Sequence, residues 1–355
     1  MRKLVKILFI SCLALSLSQI AFAAAGDWTF SGTNWLRTRV VSKDLQGPTK
    51  TDKTVTDAGF SVDRGYVRYA YQFTDTIKGQ WTADFYSDKT SNYVNGAGIK
   101  LKESYVDLPF YLPESKLTVG LQKNYVGLIY DYDYRIIEKE FIDKNGIDAS
   151  ADNGIILNGY FPMGYGSYEA GIYNGEGYKK ELSPDINTEP AFVADVRVIP
   201  VPGITVGGSY KSELQGTVTP IGNTAYNKNH LAVGMLRTAY GPFDMWAEYI
   251  GQNVDTYSTT TNTYTNVKKS GYSIMPSYQI TPEWTVLARY DSWDPNKDKA
   301  NDKVATTIIG VNYALTKGVL LQLNYQQDKP EDSTVATTTQ YLGQIAWSFA
   351  RVFAQ

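Results

Sequence analysis

The residue types that carry most enzymatic chemistry are nearly absent from this chain of 355 residues. Its single histidine is His230, and its single cysteine is Cys12. Neither residue can by itself build a disulfide, a cysteine-ligated metal site or a bis-histidine site. A hydrolase needs a nucleophile activated by a base, and no serine accompanies His230 in its segment NKNHLAVG. A solvated side chain is the simpler interpretation of His230, and we expect no enzymatic activity, no metal and no cofactor.

Charged and polar side chains recur instead at alternate positions of short segments, with apolar side chains between them. Trp81 and Phe85, for example, alternate with Gln80 and Asp84. Successive side chains of a β-strand point to opposite faces, so this period of two predicts strands with one apolar and one polar face. The chain therefore consists of strands, and its chemistry depends on what the polar faces surround.

The first 23 residues have the order of an export signal. Three basic residues precede an apolar stretch, and the segment closes on Ala21, Phe22 and Ala23, a small-x-small cleavage pattern. A retained anchor is the alternative, but the apolar part is short for a span of the bilayer. We predict a signal peptide at 1–23, with Ala25 as another end, and one continuous domain at 24–355.

The composition after residue 23 narrows the class of protein further. The first 23 residues hold three basic and no acidic side chains, so residues 24–355 carry 31 basic and 36 acidic ones, a net charge of −5. This balance offers no basic arm or patch, and we expect no nucleic-acid partner. No apolar run after residue 23 is long enough for a membrane helix. Exported, alternating and without such helices, the sequence predicts a closed β-barrel in an outer membrane, because only helices and closed barrels satisfy their backbone in lipid.

Two classes of connection separate the predicted strands. Tight turns, most of them marked by Pro or Gly, recur at 74–78, 109–115, 162–166, 200–203, 241–242, 281–283 and 316–318. Longer polar stretches alternate with them at 42–57, 87–98, 125–153, 174–189, 212–229, 252–268, 293–302 and 328–336. Short turns on one side and long loops on the other are typical of transmembrane barrels, and the count is about sixteen strands. The prediction is thus an all-β protein, a transmembrane antiparallel β-barrel.

Aromatic residues near the turns indicate which face of the barrel meets lipid. Phe73, Trp81, Phe161, Phe243 and Trp284 lie where girdles at a membrane interface would lie. The alternative is a soluble barrel with its apolar face inward. We also expect a β-bulge at Pro276, because proline cannot donate to the ladder inside a strand.

The polar face then points into the barrel, where about sixteen strands would leave an aqueous channel. The charged residues assigned to this face are Arg37, Arg39, Arg64, Arg68, Asp84, Glu169, Asp195, Arg197, Lys211, Glu248, Arg289 and Asp291. The four arginines of the first two strands would form a positive wall that attracts anions. The alternative is that these charges pair with one another and are structural.

The third long connection, residues 125–153, is the largest. We expect it to fold into the barrel as an inward-folded third extracellular loop, because a loop of this size is usually functional. Ile136, Ile137 and Phe141 have helical spacing, and Gly146 is a plausible helix stop. Its charged residues are candidates for a constriction: Asp131, Asp133, Arg135, Glu138, Lys139 and Glu140. The four acidic ones would face the arginine cluster across water. The alternative is a loop that caps the rim.

Four short motifs around this loop resemble those of the phosphate-selective porin O and P family. They are a strand ending G-x-Q-K, the run R-x-I-E-K-x-F, a D-x-G strand start and a G-x-Y-N-G strand end, formed by Gly120, Gln122, Lys123, Arg135 to Phe141, Asp152, Gly154, Gly171, Tyr173, Asn174 and Gly175. The resemblance covers about sixty residues well and the rest in general layout. It implies a sixteen-stranded, trimeric outer-membrane channel with an inward-folded third loop. The phosphate-selective members owe their selectivity to arginine and lysine ladders, whereas this loop is rich in Asp and Glu.

The sequence therefore predicts a porin in the outer membrane of a Gram-negative bacterium, a water-filled channel for passive diffusion of small hydrophilic solutes or ions with a preference for anions. The expected partners are outer-membrane lipid, lipopolysaccharide, two further copies in a homotrimer, and the solutes themselves. The alternative is a structural barrel, a sleeve or scaffold for a partner such as an electron-transfer cytochrome. A sleeve needs no cysteine of its own, but it needs a lumen wide enough for a protein.

Overall fold

Sixteen strands form the wall of the molecule. The computed structural model describes residues 24–44, 53–87, 97–175, 177–178, 190–218, 225–258 and 260–353. The predicted signal peptide lies outside the described residues. The described strands are β1 (Trp28–Asp44), β2 (Lys53–Gln72), β3 (Lys78–Ser87), β4 (Ala97–Pro109), β5 (Ser115–Lys123), β6 (Ala151–Tyr160), β7 (Gly166–Tyr173), β8 (Ala191–Val201), β9 (Ile204–Val218), β10 (Ala225–Tyr240), β11 (Phe243–Ser258), β12 (Thr263–Gln279), β13 (Trp284–Asp294), β14 (Val304–Thr316), β15 (Val319–Pro330) and β16 (Thr337–Phe353).

Each strand pairs antiparallel with the next, and the last closes on the first. β16 pairs with β1 from Trp28 opposite Phe353 to Asp44 opposite Thr337. The sheet is therefore a closed barrel without edges, as the period-two pattern predicted. Helix is limited, among the described residues, to α1 (Phe141–Lys144) and a 3-10 turn at Pro162–Gly164. No helix in the described part of the chain is long and apolar enough to cross a membrane.

All seven predicted tight turns join consecutive strands, whereas two predicted long loops are mostly strand. β9 and β10 continue to Val218 and from Ala225, and β11 and β12 continue to Ser258 and from Thr263. The expected loops at 212–229 and 252–268 were therefore too long. Their polar Thr, Asn and Tyr residues extend two hairpins beyond the apolar band, because threonine and tyrosine favour strands as much as apolar residues do.

The outer face is apolar, and the inner face is polar except where the connection of β5 to β6 packs against it. Large apolar side chains such as Leu36, Trp81, Leu323 and Trp347 are 40 to 63% exposed on the outside. Their neighbours in sequence point inward, where Thr82 and Gln322 are almost completely buried. This distribution is that of a barrel in lipid, and it excludes the soluble barrel with an apolar interior.

The β-ladder is regular at Pro276, where a bulge was expected, and irregular in β4. Pro276 produces no bulge: the pairing of β12 with β13 has the same register at Ile274 opposite Tyr290 and at Ser277 opposite Leu287. Proline removes a hydrogen bond there without adding a residue. A bulge lies instead in β4, where Lys102 is the extra residue between Leu101 and Glu103.

The hydrophobic core lies inside the barrel, between the wall and the connection of β5 to β6. We call this connection, residues 124–150, loop 3. Its Val126, Ile136, Phe141 and Ile142 are almost completely buried against inward-facing apolar residues, namely Val193, Leu231, Val233, Ile250, Leu287 and Ile308. Each such side chain contributes about 1.5–3 kcal/mol by leaving water. Loop 3 is therefore packed onto one side of the inner wall.

The three apolar residues of loop 3 with helical spacing, Ile136, Ile137 and Phe141, lie only partly in a helix. Ile136 and Ile137 precede α1, which holds only four residues and begins after Glu140. The helical spacing of Ile136, Ile137 and Phe141 therefore corresponds to a helix only at Phe141. Burial against the wall explains their spacing without a helix. Gly146 adopts a φ of 62° just beyond the end of α1, in agreement with its predicted role as a stop.

Candidate functional site

Loop 3 is held to the inner wall by side chains of the last strands and the first. Gln322 of β15 donates to the carbonyls of Tyr134 and Arg135 at 3.0 and 2.9 Å, and Asn312 of β14 donates to the same Arg135 carbonyl at 2.8 Å. Arg37 of β1 donates to the carbonyl of Ile137 at 3.2 Å. These donors satisfy carbonyls that have no partner within a sheet or helix, so they fix the path of the loop.

Arg289 of β13 forms a further, almost completely buried attachment. It is 2% exposed and donates to both carboxylate oxygens of Asp291, at 2.8 and 2.9 Å. The same guanidinium donates to the carbonyl of Lys139 at 2.6 Å and to the hydroxyl of Tyr132 at 3.2 Å. Because both loop contacts start from a guanidinium fixed by Asp291, this pair positions the loop and does not offer a free charge to solutes.

The acidic residues of loop 3 do not form one row opposite the arginine cluster. Asp131 pairs with Arg197 of β8 at 2.6 Å. Asp133 contacts its neighbour Arg135, which reaches Asp244 of β11 at 2.9 Å. The expectation that Asp131 and Asp133 face the arginines of β1 and β2 was therefore wrong. Burial raises the pKa of the Asp133 carboxyl, although the adjacent Arg135 opposes the shift.

Three further charged residues of loop 3 have local roles. Glu138 accepts from Gln326 of β15 at 2.8 Å, and Lys139 pairs with Asp143 of α1 at 3.2 Å. Glu140 accepts from the backbone N–H groups of Ile142 and Asp143, so it is the N-cap of α1. Glu140 is 2% exposed and points away from any open water, which corrects its expected place opposite the arginines.

Three of the four arginines of the first two strands are paired with carboxylates. Arg37 pairs with Asp63, Arg39 with Asp57 at 2.6 Å, and Arg68 with Glu103 at 3.3 Å. Asp63 reaches the inner face because it is the extra residue of a bulge in β2, opposite Trp35 and Leu36. Nothing in the sequence signals this bulge, which is why the partner of Arg37 was missed.

Arg64 is the exception. Its guanidinium carbon lies 3.9 Å from the ring centre of Trp35, 4.3 Å from that of Tyr66 and 4.7 Å from that of Tyr134 in loop 3. It forms no salt bridge within 4 Å in the described part of the chain, and its Nε has no hydrogen-bond partner there. Tyr134 has a φ of 52°, a left-handed conformation that is strained for a residue with a bulky side chain. Asp84 attracts the guanidinium in this aromatic box electrostatically without a salt bridge between them, so Arg64 is the arginine of this cluster that has no direct carboxylate contact in the described part of the chain.

The remaining predicted wall residues also point inward and are mostly covered by loop 3. Asp84 accepts weakly from the Gly65 N–H at 3.4 Å, and Lys211 pairs with Asp148 and Glu213 at 2.9 Å each. Asp195 accepts from Tyr130 and Arg197, both at 3.2 Å, and faces Glu169 across the β7–β8 ladder. The inward position of all twelve charged wall residues follows from the alternation of side chains along each strand. Their burial under loop 3 does not follow from that alternation.

Two of the spaces beside loop 3 are lined by charged side chains. One of about 660 Å³ opens below it, between the turn at 109–115 and the β5–β7 wall, and its lining includes Lys116, Tyr125, Tyr130 and Glu169. A smaller one of about 100 Å³ is lined by Asp131, Arg197 and Arg237, among others. Both combine acidic and basic side chains, as suits water and small polar solutes.

His230 lies on the outer face of the barrel, away from these spaces. Its Nδ1 is 3.1 Å from Ser212 Oγ and 3.1 Å from Tyr210 Oη, so the sheet brings a serine to the histidine although the sequence separates them. Two hydroxyls compete for one ring nitrogen, which leaves the serine without a dedicated base. The described residues contain no group of His, Cys, Asp or Glu suited to a metal ion.

Comparisons with known proteins match almost the whole barrel to one family and to several solved structures. The family model for phosphate-selective porin O and P matches residues 38–346. A search of curated proteins by sequence finds no match. An anion-selective porin from Comamonas acidovorans is similar in structure, with a TM-score of 0.63 and 13% identity over 91% of this chain and 100% of that one. The outer-membrane channel DcaP of Acinetobacter baumannii has a TM-score of 0.62 and 12% identity over 92% and 100% of the two chains. OmpF of Salmonella typhi, in complex with daunomycin, has a TM-score of 0.61 and 15% identity over 92% and 98%. At these identities the structural matches establish a shared fold.

Proposed function

This chain belongs to the phosphate-selective porin O and P family, and on that premise we propose that it is a passive, water-filled channel for small hydrophilic solutes or ions. The protein is an integral outer-membrane β-barrel. A pore of this kind needs no chemistry, because width, fixed charge and desolvation select what passes. The observation that carries the proposal is the closed wall of sixteen strands, apolar outside and polar inside, with loop 3 bound to its inner face.

We propose further that the channel favours anions, with Arg64 as the residue that attracts them. Three neighbouring arginines form salt bridges with Asp63, Asp57 and Glu103, whereas Arg64 interacts with Asp84 only at longer range and has no salt bridge in the described part of the chain. Its aromatic box directs the guanidinium toward loop 3, where the lumen is narrowed. A fixed charge in a narrow, poorly solvated place acts more strongly on ions than one in open water.

Planar-bilayer conductance under a salt gradient tests both statements. Discrete conductance steps are expected from the purified protein, and their absence would refute the channel. The reversal potential should indicate anion preference and should move toward cations in R64Q. The matched control is the double variant R39Q/D57N, which removes a charge pair without changing the net charge. An equal shift in the control, or no shift in R64Q, would show that Arg64 is only structural.

We propose further that residues 1–23 are removed when the protein is exported. The remaining chain assembles as a homotrimer in outer-membrane lipid and lipopolysaccharide. The apolar outer face supports the membrane partners. Chemical cross-linking of the protein in its native membrane, with a ladder ending at three copies, tests the trimer. The sleeve around a cytochrome is disfavoured, because loop 3 occupies part of the lumen that a partner protein would need. We propose no enzymatic activity.

A further inference from the structure

A pair of buried carboxyls lies where loop 3 meets the wall. Glu140, the N-cap of α1, is 2% exposed, and Glu248 of β11 is 5% exposed. Their side chains lie within hydrogen-bonding reach of each other. Glu248 Oε2 also accepts from the Leu128 N–H at 3.5 Å. This one wall carboxyl therefore contacts loop 3 at two places, Leu128 and Glu140.

One carboxylate oxygen of the pair has no hydrogen-bond donor among the described residues. Glu140 Oε2 accepts two backbone N–H groups, whereas Glu140 Oε1 is buried and receives no hydrogen bond from the described residues. Two ionised carboxylates cannot hydrogen-bond to each other, but a carboxylic acid can donate its O–H to a carboxylate. A proton between Glu140 and Glu248 would give Glu140 Oε1 a hydrogen-bond partner.

The charges around the pair require the same proton. The cation that acts on both carboxyls is Arg289 of β13, which is already bonded to both oxygens of Asp291. Lys144 of α1 pairs with Asp328 at 2.9 Å and lies 3.9 Å from Asp291. On α1 itself Asp143 adds a further negative charge, paired with Lys139. From β10, the apolar Leu231, Val233 and Met235 belong to the buried core around loop 3. The surroundings are therefore balanced without the pair, and the pair would carry two uncompensated charges if both carboxyls were ionised.

We propose that Glu140 and Glu248 share one proton and that this proton locks loop 3 onto the wall, so that its loss at alkaline pH releases the loop and widens the channel. Like charges in contact within a buried site cannot both ionise without separating. Separation here means withdrawing α1 from β11. The inference rests on the proposed channel function, because its effect is a change of pore width.

The direction of the pH effect follows from the proton balance. Burial raises the pKa of the Glu140 carboxyl above its usual range, despite two backbone hydrogen bonds that favour the ionised form. The locked loop therefore binds the proton more tightly than a released, water-exposed loop. Rising pH favours release by up to about tenfold per pH unit, from the ordinary pKa of glutamate up to the raised one, and by nothing beyond it.

Single-channel conductance between about pH 5 and pH 10 tests this lock, a window that covers the range in which buried glutamates titrate. The wild type should show larger or more frequent open steps as the pH rises. E140Q should lose this response, since its carboxamide can donate to Glu248 at every pH. E248Q should behave alike and serves if E140Q folds poorly. E138Q is the matched control, because Glu138 is two residues away and bonds to Gln326 instead. It should keep the wild-type response.

Two further results decide the assignment. Infrared difference spectroscopy of the wild type at neutral pH should show the carbonyl band of a protonated carboxylic acid that is lost in E140Q. Glu169 and Asp195 form a second close pair of carboxyls, so E169Q is measured as well. A response that disappears in E169Q and persists in E140Q would overturn the proposal, as would a wild-type conductance that does not change with pH. Absence of any conductance would instead refute the channel itself.

Discussion

Removal of the Arg289 side chain should detach loop 3 from the wall of an otherwise intact barrel. R289A eliminates the hydrogen bonds to Tyr132 and to the carbonyl of Lys139. It also leaves Asp291, which is 1% exposed, without its bidentate partner. The barrel itself should persist, because the ladder of β13 with β12 and β14 depends on backbone groups.

The size of the effect can be worked from these contacts. Breaking one partner out of a buried ion pair costs about 3–5 kcal/mol. Lys144 Nζ lies 3.9 Å from Asp291 and can move toward it, which offsets part of the loss. A remaining penalty of about 3–4 kcal/mol raises the fraction of released loop by about two to three orders of magnitude, at 1.4 kcal/mol for each tenfold change.

Limited proteolysis with trypsin measures that fraction at Lys144, whose side chain is 15% exposed and paired with Asp328 while the loop lies on the wall. The cleavage rate should rise by about 100- to 1,000-fold in R289A if loop opening is fast relative to cleavage. The double variant R289A/D291N should recover part of the resistance, since it removes the unpaired carboxylate. R351A, at the exposed end of β16, is the control for loss of an arginine. Unchanged cleavage in R289A would refute the view that this pair holds the loop.

Three more outcomes are expected. G127A should loosen loop 3 by about 1–2 kcal/mol or more, because Gly127 has a φ of 58° and an added Cβ would lie 2.6 Å from Ile142 Cδ1. G146A, with a φ of 62° and open space around it, should have the backbone effect alone, so equal tryptic sensitivity of the two variants would contradict the contact. H230A should leave the conductance unchanged and should not reduce the rate at which the protein sample hydrolyses ester substrates. A loss of esterase activity in H230A would instead support an enzymatic role. R64A, in place of R64Q, should give the same shift of reversal potential toward cations, and a smaller shift would mean that the size of the side chain matters more than its charge.

Strand parity predicted most of the fold and the inward set of charged residues. Trp81 and Phe85 alternate with Gln80 and Asp84 because a strand has only two faces, and lipid accepts only one of them. The same reasoning could not predict the length of β9 to β12, since polar residues above the membrane still form strands. Nor could it detect the bulges at Asp63 and Lys102, where one extra residue changes parity without any signal in residue type.

The sequence by itself determined that this protein is a closed, lipid-facing barrel with a large third loop, because the period of two and the alternating connection lengths are local properties of the chain. Only the tertiary structure decided which of the inward-facing charges are paired with a carboxylate. Arg37, Arg39 and Arg68 are neutralised by carboxylates that strand pairing brings opposite them, whereas Arg64 is enclosed by three aromatic rings. Pairing depends on distances of a few ångströms between residues far apart in sequence, and electrostatic energy falls with that distance and with solvation. Those distances exist only once the barrel has closed around its loop.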